Sequence, residues 1–115
     1  MSSHWLIKYN SELQHGLQAR AVGNEGMARV CARRAAGEVV REFFQRQNLT
    51  LTKPSALHAL KSLTTYEQIS PRTREIATHF VWQITTEHTL PGEVDLLAEV
   101  QWLANELLGE AERPN

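Results

Sequence analysis

The chain has 115 residues, 42% of them apolar, and a formal net charge of −1, which suits one compact domain with an ordinary core. Its single cysteine, Cys31, rules out an intrachain disulfide, and the Cys/His spacings of structural zinc sites are absent. No stretch approaches the roughly 20 apolar residues of a membrane span, and "MSSHWLIKYN" lacks a basic leader followed by an apolar run, so a cytoplasmic location without membrane association is expected.

β-Branched residues do not cluster, and no alternating apolar run flanked by turn signals occurs, so the elements read as helices. Leu6, Tyr9, Leu13 and Leu17 recur at three- and four-residue spacing and predict a first amphipathic helix, weakened at Gly16 and ending near Gly23 and Asn24. From Glu25 to Gln47 the apolar positions Met27, Val30/Cys31, Ala35/Ala36, Val39/Val40 and Phe43/Phe44 repeat about every four residues, which predicts a long second helix. "NLTLTKPS" breaks that pattern: Pro54 cannot continue a helix, and Ser55 can cap a short third one carrying Ala56, Leu57, Leu60 and Leu63. After the loop "TTYEQIS", Ser70 is an N-cap and Pro71 a first helical residue, opening a fourth helix through Ile76, Phe80, Ile84 and His88. "TLPG" ends it. Glu93 and Asp95 then place negative charge in the first turn of a fifth helix with the stripe Val94, Leu97, Val100/Leu103 and Leu107, and "GEAERPN" is a polar tail. Short connections between helices of similar length predict an all-α fold, an antiparallel up-and-down bundle of four to five helices forming one domain over residues 1–115.

The chemistry that such a bundle can carry is bounded by what is missing. There is no glycine-rich phosphate loop, GxSxG elbow, HExxH or paired ExxH motif, and His4, His15, His58, His79 and His88 lie on separate segments, so neither a metal nor a cofactor is expected. Cys31 falls inside a helix on its apolar stripe, the setting of a small buried hydrophobe and not of an activated thiol. The small net charge conceals a division: residues 1–53 hold eight Lys/Arg against four Asp/Glu, and residues 54–115 hold four against nine. A basic half can meet a phosphate backbone, or it can dock on the acidic half of a second copy. On the second helix Arg29 and Arg33 fall beside Val40 and Ala36 at the margin of the buried stripe, where their stems can close a helix interface or their planar forks can hold phosphate.

"ARVCARRAAGEVVREFF", residues 28–44, resembles the second helix of HEPN domains (higher eukaryotes and prokaryotes nucleotide-binding). Ala28, Ala32, Ala35 and Ala36 fall on small-residue positions, Arg33 and Arg34 on a polar pair, and Val39, Val40, Phe43 and Phe44 on apolar positions, while Gly37 stands where the family often has a glutamate. "SPRTREIATHF", residues 70–80, is similar to the family's Arg, four to six residues, then His near the start of a late helix, and both Arg74 and Arg72 fit that spacing to His79. The resemblance implies metal-independent RNA cleavage at the interface of a homodimer, His79 taking part in proton transfer or orientation and Arg72 or Arg74 holding phosphate. Arg29 and Arg33 are the expected additional nucleic-acid contacts. Helical geometry separates the two arginines: seven residues is almost two turns, so Arg72 and His79 share a face about 10 Å apart, whereas Arg74 points roughly 140° away.

Two other functions fit the same residues. One is a non-catalytic protein-interaction or dimerisation bundle, with Trp5, Trp82 and Trp102 as interface aromatics. The other is helix-turn-helix DNA binding through "SPRTREIATHFVWQI", against which stand the missing turn glycine in "LKSLTTYEQI" and the acidic charge of that half.

Overall fold

The computed structural model describes residues 4–86 and 94–109, and for 82–86 the backbone alone. His88, the "TLPG" turn, Glu93, the side chain of Trp82 and the polar tail from residue 110 lie outside the described residues. Among the described residues five helices form: α1 (His4–Ala21), α2 (Glu25–Arg46), α3 (Ala56–Thr65), α4 (Pro71–Thr86) and α5 (Leu96–Leu108). Four begin at a side chain that satisfies an orphan amide. Asn24 accepts from the Met27 N–H, Ser55 from His58, Ser70 from Thr73, and Asp95 from both Leu97 and Ala98, at 3.0 to 3.2 Å. Asn24 therefore opens α2; Gly23, at φ +83°, makes the turn that ends α1. Asp95 likewise stands one position outside α5, as its cap, and Glu99 supplies the acidic charge of the first turn.

The molecule is an all-α helical bundle, and among the described residues no helix is long and apolar enough to cross a membrane. Helix α2 is its centre, packed against α1, α3 and α5, while α4 lies against α3 and α5. That position explains its composition: Ala28, Ala32, Ala35, Ala36, Val39 and Val40 are fully buried, because small side chains let three neighbours approach one axis closely. Leu60 and Leu63 from α3, Ile76 and Phe80 from α4, and Leu97 and Leu103 from α5 complete the core, each burial contributing about 1.5–3 kcal/mol. Buried Trp5 and Tyr9 anchor α1, with ring centroids 5.9 Å apart.

The α1 stripe is rotated from the expected one. Leu17 is 45% exposed and Leu6 and Leu13 only half-buried, whereas Gly16 and Ala19 face inward. The cause is the contact at Gly16, where a Cβ would stand 2.8 Å from the Leu97 Cδ2 and 3.2 Å from the Cys31 Cβ, so α1 turns its smallest residue to α5 and α2. A second close approach occurs at Gly37, whose missing Cβ would lie 2.7 Å from the Cβ and 3.1 Å from the Cα of Ala56. The first residue of α3 thus occupies the space that any side chain at position 37 would need. The glutamate that the resemblance leads one to expect there has no room.

Ion pairs fix the remaining geometry. The Arg20 guanidinium donates to both oxygens of Glu25 at 3.0 and 2.7 Å and reaches Asp95 at 3.0 Å, joining the α1–α2 turn to the start of α5. Those hydrogen bonds, Glu25 first, hold Arg20 above its ordinary pKa, and in return the Arg20 bond holds the Glu25 carboxyl below the usual glutamate value. Arg41 donates to the Pro54 carbonyl and to Glu38, each at 2.6 Å, and ties the α2–α3 connection down.

Candidate functional site

Helix α4 presents its apolar face, with Ile76, Ala77 and Phe80, to the core, and this sets where its polar residues emerge. Arg72, Glu75 and His79 recur at three- and four-residue spacing along the margin turned toward α5. Arg72 Nη1 donates to Glu75 Oε1 at 3.0 Å, and Glu75 Oε2 lies 3.9 Å from His79 Nε2. One carboxylate therefore stands between the guanidinium and the imidazole.

On its other side the imidazole meets α5. His79 Nδ1 is 2.9 Å from Glu99 Oε1 and 3.2 Å from Oε2. The His79 and Glu99 side chains are 18% and 12% exposed, so this pair is largely withdrawn from water. A carboxylate accepts and cannot donate, so the proton between them belongs to Nδ1, leaving the Nε2 edge for other partners. Trp102, one turn beyond Glu99, lies under Arg72 with its ring centroid 5.9 Å from the guanidinium carbon. The face thus carries a continuous series, Trp102, Arg72, Glu75, His79 and Glu99, that joins two helices.

Arg74 is turned elsewhere. Its Nε donates to the Thr64 carbonyl at 3.1 Å and its Nη2 to the Tyr66 carbonyl at 2.7 Å, so the guanidinium satisfies the orphan carbonyls at the end of α3. Of the two arginines that fit the sequence spacing, the structure brings Arg72 to the histidine's face and commits Arg74 to the α3–α4 connection. The serine and proline of "SPRTREIATHF" serve helix initiation: Ser70 caps, and the buried Thr73 hydroxyl shares a 2.9 Å hydrogen bond with the Ser70 Oγ.

Arg29 and Arg33 are half-buried along α2, and neither forms a hydrogen bond or ion pair with another described residue, although Arg29 lies near enough to Glu25 to help keep it ionised. Arg34 is exposed on another side of the helix. Cys31 is 3% exposed, and burial pushes its thiol pKa up. Among the described residues no group of three or more His, Cys, Asp or Glu side chains is placed to hold a metal ion. A surface groove of about 500 Å³ lies away from His79, along Gln45, Leu49, Thr52 and Pro54, but its Arg41 is already engaged by Pro54 and Glu38.

Glu99 is the residue that sequence reasoning missed. The signal was its register: it follows Leu96 by three and precedes Val100 and Leu103, which places a carboxylate on the edge of the most apolar helix in the chain. The chain matches no family model, no curated protein and no solved structure.

Proposed function

We propose that the chain is a HEPN-like bundle that binds RNA and cleaves it without a metal ion, working as a homodimer, with Arg72 holding phosphate and His79 transferring protons. The observation that carries this reading is the Glu75 carboxylate lying 3.0 Å from Arg72 and 3.9 Å from His79 Nε2, because a phosphate oxygen pair can replace a carboxylate in that gap. In the reaction Nε2 takes the proton of a ribose 2′-hydroxyl; the 2′-oxygen forms a bond to phosphorus as the bond to the 5′-oxygen breaks. Arg72 stabilises the charge that develops on the phosphoryl oxygens, and the departing oxygen takes a proton from a second imidazole, which another copy of the chain supplies. Arg29 and Arg33 add phosphate contacts from α2.

The second reading is a non-catalytic interaction bundle. It is favoured by the same gap being filled by Glu75 and by Trp102, 36% exposed beside an arginine, the residue pairing that anchors protein contacts. Labelled structured RNA incubated in EDTA with wild type, His79→Ala and Arg72→Ala separates the two. Cleavage by wild type and loss in both variants is the expected result; no cleavage by wild type, or equal cleavage by all three, removes the nuclease reading. Light scattering at working concentration checks the dimer.

A further inference from the structure

We infer that Glu99 is the positioning residue of this site: from α5 it fixes the tautomer and the orientation of the His79 ring so that Nε2 is the edge offered to substrate. The role rests on the proposed RNA cleavage, but the geometry behind it is independent of any substrate. Both Glu99 oxygens lie within 3.2 Å of Nδ1, and the carboxylate, 12% exposed, has no other hydrogen-bond partner among the described residues. Its place in the first turn of α5, at the positive end of the helix dipole, favours negative charge there.

Packing alone does not call for this pair. Taking a carboxylate and an imidazole out of water costs about as much as their attraction returns, and an apolar pair of similar volume would join α4 to α5 at least as well. What the pair supplies is chemical definition. With Nδ1–H donated to Glu99, a neutral His79 carries its lone pair on Nε2, the edge turned toward Glu75; without Glu99 the ring can turn or exchange its proton between nitrogens. The Glu99 carboxylate bonds His79 at Nδ1, the ring nitrogen opposite the proposed reacting edge, and so acts through the histidine.

The test joins a spectroscopic signature to kinetics. Ring nitrogen resonances of His79, assigned by their loss in His79→Ala, are recorded above the imidazole titration in wild type, Glu99→Ala and Glu99→Gln. Wild type shows a protonated Nδ1 and an unprotonated Nε2, Glu99→Ala shows a mixture of tautomers, and Glu99→Gln, which keeps an acceptor, retains most of the wild-type pattern. On RNA, Glu99→Ala lowers kcat about 10-fold or more with KM within about twofold, since orientation of an acid–base group is lost and binding is not. Glu99→Gln recovers part of the rate. The same tautomer in wild type and Glu99→Ala overturns the inference, as does an unchanged kcat in Glu99→Ala where His79→Ala is inactive. If wild type cleaves no RNA while the tautomer follows Glu99, the nuclease reading fails and the positioning of His79 by Glu99 stands.

Discussion

Replacing Arg74 by alanine should destabilise the protein without touching the face that carries Arg72, Glu75 and His79, the reverse of what replacing Arg72 should do. Arg74 makes two hydrogen bonds from a charged donor, at 3.1 and 2.7 Å, to carbonyls that α3 itself cannot satisfy. Bonds of this kind contribute roughly 1.5–3 kcal/mol each when water is excluded. The guanidinium is half-buried and water can replace part of each bond, so a net loss of about 2 kcal/mol is expected. In a chain of this size that lowers Tm by about 8 °C, at roughly 4 °C per kcal/mol. Arg72 pairs with Glu75 where the two side chains are 53% and 55% exposed, and an exposed pair is worth about 0.5 kcal/mol or less. Thermal unfolding followed by circular dichroism, with urea midpoints at unchanged m-value as a second reading, compares the variants. An Arg74→Ala protein melting within about 1 °C of wild type, or an Arg72→Ala protein losing as much stability as Arg74→Ala, refutes the division of labour between the two arginines.

Three further outcomes are expected. Alanine at Gly16 and at Gly37 gains about 1 kcal/mol of helix propensity in each case, yet only Gly37→Ala should destabilise. Its Cβ meets the Cβ and Cα of Ala56, which cannot yield without moving α3, whereas the nearest atom at Gly16 is the end of the Leu97 side chain; parallel melting curves of the two variants check the contrast. Cys31, buried and with its thiol pKa raised by that burial, should react with a disulfide reagent only as the protein unfolds, so that labelling rate and unfolding by urea coincide. The stability gap between wild type and Arg20→Ala should narrow in acid: Glu25 titrates lower folded than unfolded, so its contribution is full above the ordinary glutamate value of about 4.3 and disappears as pH falls through the depressed folded value. Urea midpoints at pH 7 and pH 3 measure the gap, and a constant difference contradicts the assignment.

The helices were legible because an apolar period marks each of them, and α3 and α4 are announced a second time by the caps Ser55 and Ser70; Asn24, read as the end of α1, is in fact the cap of α2. The phase of α1 was not, since leucine spacing favours Leu13 and Leu17 while the actual seam follows Gly16 and Ala19, chosen by what α5 and α2 bring to it. The candidate site divides in the same way. That Arg72 and not Arg74 shares the histidine's face follows from helical angles alone, but the carbonyls that hold Arg74 belong to the end of a different helix. Glu99 is 20 residues from His79 in sequence, and only the packing of α5 on α4 makes them neighbours. Local patterns record a residue's direction; they do not record what waits there.

The contact between Gly37 and Ala56 has a consequence for how this chain can vary. The room between α2 and the start of α3 is one methyl group, held by Ala56, and the two positions must share it. Bulk added at 37 is tolerable only if it is removed at 56, so Ala56→Gly should rescue Gly37→Ala although each change alone is neutral at best. The pair behaves as a single unit of sequence, nineteen residues apart in the chain, and substitutions at one position should be read only with the residue at the other in view.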